Sequence, residues 1–277
     1  MAISKEKQEL INKIKSYEKQ GLFDVDVNDD PPAPALLPEN ADYICKKFKN
    51  KINRFIANAV ADRYYLNLIK KGRLIIDGIE GEEYIKEGLK NGAIITCNHF
   101  SPFDNYIIFH CIRKYLPKKY LYKVIREGNY TNFPGLYGFF FKHCNTLPLS
   151  SNRRTMIMFT AAVKELLSRG ESILIYPEQA MWYNYKKPRP FKNGAFKIAF
   201  KNKVPVLPLF ITMQDSEKLD SDGMPIQRHV LHVSPPIYPN ESLSAKEGAE
   251  AMLQEAYLDC KKIYEKVYGK KLSYEDE

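Results

Sequence analysis

The chain has 277 residues, of which 44% are hydrophobic and 27% charged, so we expect one large globular domain or a domain with an appended helical region. Its formal net charge of +9 favours a polyanionic partner, such as nucleic acid, an anionic membrane surface or a phosphate-bearing substrate. No apolar run reaches the roughly 20 residues of a membrane-spanning helix. The charged amino terminus lacks the apolar core of a secretory signal, which predicts a cytoplasmic protein that rests peripherally on a membrane.

The cysteines and histidines argue against several classes of site. The five cysteines are dispersed and have no Cys-x-x-Cys spacing, so we expect reduced thiols without a disulfide framework. The five histidines are also dispersed, which predicts no metal site. Neither a zinc-finger spacing nor an RNA-recognition signature is present, and we therefore expect no nucleic acid partner.

The first 72 residues form a predicted helical region with a linker. Residues 3–20 have apolar residues at helical spacing, and this amphipathic helix either packs on its own protein or lodges in a membrane surface. Residues 24–40 are acidic and then proline-rich, which is typical of an extended linker. Residues 41–71 predict a second long amphipathic helix, ended by Gly72. We therefore place a domain boundary between 1–72 and 73–277.

The remaining chain alternates between predicted strands and helices. The strands are expected at 73–78, 93–97, 120–125, 145–149, 172–176, 204–211 and 223–233, and the helices at 82–90, 103–115, 155–168, 193–202 and 245–269. This alternation predicts an α/β domain with a mixed, largely parallel central sheet flanked by helices. The strand at 93–97 is uniformly apolar, which favours a central position.

A histidine and an aspartate follow that central strand. His99 lies just past its end, where open α/β sheets bind ligands. Ser101 and Pro102 predict a helix start, which puts Asp104 one turn further on. An imidazole suits general-base catalysis, and a carboxylate that accepts from its ring N–H would orient it. Alternatively, Asp104 only caps the helix and His99 is an ordinary loop histidine.

Four short blocks resemble those of the glycerolipid acyltransferase superfamily. Residues 98–104, Asn-His-Phe-Ser-Pro-Phe-Asp, are similar to its first block, NHxxxxD. Residues 176–178, Tyr-Pro-Glu, resemble the third block. Residues 191–195, Phe-Lys-Asn-Gly-Ala, resemble the FKxGA segment, and residues 204–208, Val-Pro-Val-Leu-Pro, resemble the fourth block. The blocks occur in the family's order, and the resemblance covers residues 73–235.

The resemblance implies a function in phospholipid biosynthesis. His99 would deprotonate an acceptor hydroxyl, Asp104 would orient His99, and the acceptor oxygen would attack the thioester of acyl-CoA or acyl-carrier protein. Transfer is then direct and needs no cofactor, and the absence of a G-x-S-x-G nucleophile elbow agrees with this. The implied acceptor is a lysophospholipid such as 1-acylglycerol-3-phosphate.

Two blocks depart from the family pattern. The nearest match to the second block, residues 145–151, has serine where an arginine is expected, although Arg153 and Arg154 follow closely. In the third block Glu178 remains, but Gln-Ala-Met-Trp replaces Gly-Thr-Arg-Ser, and this removes a bidentate phosphate ligand. The alternatives are therefore a glycolipid or polyol acceptor, a His/Asp lipid-ester hydrolase, and a non-catalytic binding module.

The remaining expectations concern substrate binding. Residues 182–192 interleave aromatic and basic side chains, which suits a lipid head group or the phosphates of coenzyme A, but also single-stranded nucleic acid or a solvated loop. Residues 133–141 predict either an acyl-chain surface or plain core, and Gly135 and Gly138 favour a loop that faces lipid. We expect Glu178 to line a groove with the His99–Asp104 pair. The predicted substrate-binding residues are Asn98, Lys123, Arg126, Arg153, Arg154, Glu178, Lys192 and Gly194.

Overall fold

The structure is a computed structural model that describes residues 3–28, 32–116 and 120–275. These residues form nine α-helices and seven strands. The helices are α1 (Lys5–Lys19), α2 (Phe48–Lys70), α3 (Glu83–Gly88), α4 (Asp104–Ile112), α5 (Glu127–Thr131), α6 (Gly135–His143), α7 (Arg153–Ser168), α8 (Gly194–Lys201) and α9 (Ala245–Tyr268). The strands are β1 (Ile75–Glu80), β2 (Ile94–Thr96), β3 (Tyr122–Ile125), β4 (Thr146–Pro148), β5 (Ile173–Ile175), β6 (Val206–Leu219) and β7 (Pro225–Val233).

The strands form one sheet in the order β1-β7-β6-β2-β5-β3-β4. Every neighbouring pair is parallel except β6 and β7, so the predicted mixed, largely parallel α/β fold is confirmed. The central position of β2 is also confirmed, because it pairs with β5 on one side and β6 on the other. Ile94 and Ile95 are both fully buried, as an all-apolar central strand requires.

Helices cover both faces of the sheet. Because successive residues of a strand point to opposite faces, Ile95 packs in a core with α2, α3 and α4, while Ile94 packs in a second core with α7, α8 and α9. The carboxyl ends of the parallel strands lie between these layers, at the edge where His99 follows β2.

The second helix starts later than predicted. It begins at Phe48, because Asp42 accepts hydrogen bonds from the backbone N–H groups of Lys46 and Lys47 and holds residues 42–47 in a turn. Cys45 has a φ of 52° in this turn, which an α-helix excludes. Ile44 packs on the α7 side of the sheet, and its helical spacing from Phe48 was therefore misleading.

The aromatic segment 133–141 is mostly helix. Residues from Gly135 form α6, which packs on α2 through Phe140 and Ala57. A Cβ on Gly138 would lie 1.9 Å from the carbonyl oxygen of Phe133, so the close approach of these two backbones requires glycine here. The predicted loop is wrong, because these residues form a helix and their backbone N–H and C=O groups hydrogen-bond within it.

The first helix packs on its own protein. Ile14 is buried with Leu10 and Tyr17 against Trp182, so this interpretation of its apolar face is confirmed. Part of the predicted linker, residues 29–31, lies outside the described residues. Within the described ranges, no helix is both long and apolar enough to cross a bilayer.

Candidate active site

The predicted pair is held together at the carboxyl edge of the sheet. His99 Nδ1 and Asp104 Oδ2 are 2.6 Å apart, as the sequence predicted. The helix begins at Asp104 and not at residue 103, because Ser101 Oγ accepts from the backbone N–H of Phe103 and caps the turn before it. With Nδ1 bonded to the carboxylate, Nε2 is the ring nitrogen left for a substrate, and His99 lines a large groove.

Asp104 both orients the histidine and organises the loop. Its carboxylate is fully buried, and a buried carboxylate has to be hydrogen-bonded. Oδ2 also accepts from the backbone N–H groups of Phe100 and Ser101, at 3.3 and 3.4 Å. Oδ1 accepts from the N–H of Asn105 and from the hydroxyl of Tyr176. The two sequence interpretations of Asp104, as cap and as orienting group, therefore describe one side chain.

Tyr176 contacts both members of the pair. It follows β5, the parallel neighbour of β2, so it leaves the sheet at the same edge as His99. Its ring lies against the imidazole with centroids 4.0 Å apart and an angle of 10° between planes. Burial and the nearby Asp104 charge raise the pKa of the Tyr176 phenol well above its usual value, so the hydroxyl keeps its proton and donates. Sequence reasoning noted Tyr176 only as part of a block; its signal was its place beside Pro177, after an apolar strand.

Glu178 holds the backbone of His99 by a hydrogen bond. Its Oε2 accepts from the N–H of His99 at 3.1 Å and from the guanidinium of Arg189 at 2.8 Å. Arg189 also donates to the carbonyl oxygen of His99. Glu178 is buried and outside the described lining of the groove, so the prediction that it lines the groove is wrong: the buried arginine pairs with it and covers it.

Two large side chains of the stretch 182–192 are internal. Trp182 and Arg189 are fully buried, and the guanidinium lies 4.7 Å over the Trp182 ring. Trp182 Nε1 donates to the carbonyl of Val25, and Arg189 donates to that of Phe23. The predictions of a head-group surface and of a solvated loop are both wrong for these side chains, since they join the N-terminal segment to the site.

Beside the dyad lies a groove of about 1700 Å³. Its walls come from α2, α4, α6, α7 and β3, and their apolar character suits a long acyl chain. The large apolar and aromatic residues that line it include Tyr65, Phe109, Leu121, Phe133, Tyr137, Phe140, Phe141, Phe159 and Val163.

Four of the predicted binding residues line this groove. Lys123 lies inside it, and burial lowers the pKa of its amine. Arg126 and Lys192 lie at its edge and pair with Asp26 and Asp24 at 2.6 and 2.7 Å. Gly194 begins α8, where an added Cβ would meet open space.

Three further lysines of the groove were missed by the sequence reasoning. They are Lys164, Lys197 and Lys201. The available signal was the four-residue spacing of Lys197 and Lys201 downstream of the FKxGA segment, which puts them on one side of a helix.

Three predicted binding residues lie elsewhere. The amide of Asn98 accepts from the N–H of Ile211 at 2.8 Å and donates to its carbonyl at 3.0 Å, so it ties the end of β2 to β6. Arg153 and Arg154 are exposed on the first turn of α7, outside the described lining. These three residues therefore lie outside the described lining of the groove, and a substrate contact for them stays a prediction. Among the described residues, no three histidine, cysteine or acidic side chains are grouped to hold a metal ion.

Comparison with known proteins agrees with the sequence blocks. The family described as Acyltransferase matches residues 78–212, a segment that includes both His99 and Asp104. A search of curated proteins gave no significant match. The chain is similar to the crystal structure of PlsC, the 1-acyl-sn-glycerophosphate acyltransferase of Thermotoga maritima, with a TM-score of 0.54 and 18% identity over 97% of this chain and 99% of that one.

The family match and the α/β fold define the class of protein as an acyltransferase. At 18% identity the likeness to PlsC shows the fold alone. The family match over residues 78–212 supports the resemblance to the glycerolipid acyltransferase superfamily that the four sequence blocks predicted.

Proposed function

We propose that this protein is an O-acyltransferase that moves a fatty acyl group from an acyl thioester to a hydroxyl of a lysophospholipid-like acceptor. One observation carries the proposal: an imidazole oriented by a buried carboxylate opens into a long apolar groove edged with basic residues. The groove supplies a place for the acyl chain, and the imidazole supplies a general base.

The mechanism follows from the tautomer of His99. Because Nδ1–H donates to Asp104, the lone pair of neutral His99 is on Nε2. Nε2 takes the proton of the acceptor hydroxyl while the oxygen attacks the thioester carbonyl carbon. The tetrahedral intermediate then expels the thiolate, which takes the proton back from the imidazolium. Asp104 stabilises the imidazolium between these two steps.

The cations of the groove support an anionic substrate. Lys123 is the deepest candidate for a phosphate of the acceptor, because the described residues place no carboxylate against its amine. Lys192 precedes α8, Lys197 and Lys201 lie on it, and all three line the groove, where they suit the phosphates of coenzyme A or an acidic carrier protein. An anion that binds Lys192 has to compete with Asp24.

A second acceptor class has its own support. Arg153 and Arg154, the nearest substitutes for the family's phosphate-binding arginine, lie outside the described lining. A glycolipid or polyol hydroxyl therefore remains an alternative acceptor, since it makes no demand on those arginines.

Peripheral attachment to an anionic membrane is part of the proposal, and α2 supports it better than α1. One face of α2 carries Phe48, Ile52, Phe55, Ile56 and Val60, which we call the α2 face, and the side chains of Phe48 and Phe55 are 77% and 70% exposed. Exposed Lys49 and Lys51 flank it. An apolar helix face with adjacent lysines is suited to an anionic lipid interface.

The test is incubation of the purified protein with labelled acyl-CoA or acyl-carrier protein and a panel of lysophospholipid, glycolipid and polyol acceptors. We expect acylated lysophospholipid from the wild type and none above background from His99→Ala, whose fold is checked by circular dichroism. Free fatty acid without acylated acceptor would instead identify a hydrolase. A fully active His99→Ala variant would contradict the mechanism.

A further inference from the structure

A general base on a loop needs its ring plane and its partner fixed. The terminal torsion of a histidine side chain has a broad energy minimum, so a single hydrogen bond at Nδ1 leaves the imidazole free to rock. The Asp104 carboxylate that makes this bond lies on the first residue of a nine-residue helix. Backbone N–H groups of the loop hold the Asp104 carboxylate, but they do not contact the imidazole ring.

Tyr176 is the side chain that contacts both groups from another strand. Its ring is stacked on the imidazole at 4.0 Å, and its hydroxyl donates to Asp104 Oδ1 at 2.8 Å. Oδ1 is the carboxylate oxygen that does not bond to His99, so the phenol and the imidazole are at opposite oxygens of one carboxylate. Rotation of the Asp104 carboxylate therefore breaks both of these side-chain hydrogen bonds, in addition to those from the backbone.

We propose that Tyr176 is a positioning residue that holds both members of the dyad, with its ring against His99 and its hydroxyl on Asp104. The hydroxyl is directed at the carboxylate and is therefore not available to the reacting atoms. Only the kinetic consequence of this role rests on the proposed function; the structural role does not.

The sign of the effect on protonation follows from the charge on Asp104. The hydrogen bond from the Tyr176 phenol to the Asp104 carboxylate is stronger when the dyad carries a net negative charge than when it has bound a further proton. Its removal therefore makes the dyad bind a proton more tightly, whether that proton is assigned to His99 or to Asp104. The apparent pKa of the dyad rises, and a base with a raised pKa loses activity at a higher pH as the solution is acidified.

Other titratable groups near the dyad are neutral near pH 7. Burial raises the pKa of the Cys97 thiol and of the Tyr65 phenol, and it lowers the pKa of the His229 imidazole, so all three stay neutral near pH 7. Glu178 and Arg189, which hold the backbone of His99, are ion-paired with each other at 2.8 Å. A change in the titration of His99 in a Tyr176 variant is then attributable to Tyr176.

The experiment measures the His99 titration by NMR on histidine-labelled protein, with the His99→Gln spectrum to assign its signal. We expect Tyr176→Phe to raise the apparent pKa by about half to one unit, which is less than the full effect of a hydrogen bond to a charged group, because the phenol bonds to Asp104 in both protonation states of the dyad. The acid limb of kcat/KM should move up by the same amount. Tyr268→Phe is the matched control: it removes a partly buried hydroxyl that bonds to Met213 on β6, and it should change neither quantity.

Tyr176→Leu removes the ring as well and should lower kcat further than Tyr176→Phe, with little change in KM for the acyl donor. An unchanged His99 titration in Tyr176→Phe would overturn the proposal. So would equal rates for the Phe and Leu variants, which would leave the stacked ring without a role. If the wild type shows no acyl transfer, the proposed function fails, while the titration still tests the role of Tyr176.

Discussion

At the scale of single residues, the site depends on the Asp104 carboxylate, which makes several hydrogen bonds with different roles. Asp104 accepts from two side chains and three backbone N–H groups although it is fully buried. An uncharged side chain of the same shape can replace only the capping part of this work. Asparagine is a good helix cap, but its amide nitrogen cannot accept from the Nδ1–H of His99 or stabilise an imidazolium.

We therefore predict that Asp104→Asn lowers kcat by about 10³-fold or more, on the scale of the corresponding change in serine-protease triads. Steady-state kinetics measure this, and circular dichroism checks the fold. Asp42→Asn is the matched control, because Asp42 accepts from the turn before α2 and from the side chain of Asn50 on that helix. Near-wild-type turnover of Asp104→Asn would mean that the carboxylate is structural alone.

At the scale of elements, a buried ion pair connects three separate segments. Glu178 follows β5, Arg189 lies in the loop before α8, and their hydrogen bonds reach the His99 backbone and the carbonyl of Phe23. Both side chains are almost fully buried, at 2% and 1% exposure. If one of the two residues is substituted, the charge of the other stays buried without an ionic partner. The pair is therefore far more sensitive to single substitution than a surface pair.

We predict that Arg189→Met destabilises the fold by about 3–5 kcal/mol, because the Glu178 carboxylate is left buried and unpaired. The free energy of unfolding in urea measures this. Lys186→Met is the control: it breaks the exposed pair with Asp215 and should cost less than about 1 kcal/mol. The double variant Glu178→Gln/Arg189→Met should recover part of the loss, and no recovery would contradict the pairing argument.

At the scale of the whole molecule, the two sides of the sheet differ in what they expose. The α2 face lies on the side of the first core, while α9 packs on the second core. The groove is lined from α2 and α6 on one side, so attachment through the α2 face would bring the groove close to the lipid that supplies its substrates.

We predict that Phe48→Ser/Phe55→Ser reduces the partition of the protein onto vesicles of phosphatidylglycerol and phosphatidylcholine by about tenfold or more, given roughly 1.5–3 kcal/mol for each buried phenylalanine. Co-sedimentation measures this, and added salt should weaken the wild-type binding further. Leu258→Ser, an exposed change on α9, should have no effect. Equal binding by the wild type and both variants would show that the α2 face does not contribute to membrane attachment.

The sequence predicted the order of the elements and the α/β class, because alternating apolar periods of two and of three to four residues are local signals. It failed at residues 41–47, where a turn made by Asp42 interrupts a helical spacing, and at 133–141, where two glycines obscured a helix. The His99–Asp104 contact was predictable since its partners are five residues apart.

Only the tertiary structure decided what surrounds that pair. Tyr176 and Glu178 are more than seventy residues from His99 in the chain, and the parallel pairing of β2 with β5 brings them to it. Glu178 and Arg189 are buried together beside this pair, and the pairing of β2 with β6 leaves Asn98 bonded to β6, against expectation. Residue types and local spacing identify which groups have the chemistry, but burial and the choice of partner depend on which strands become neighbours, and that is decided by long-range packing.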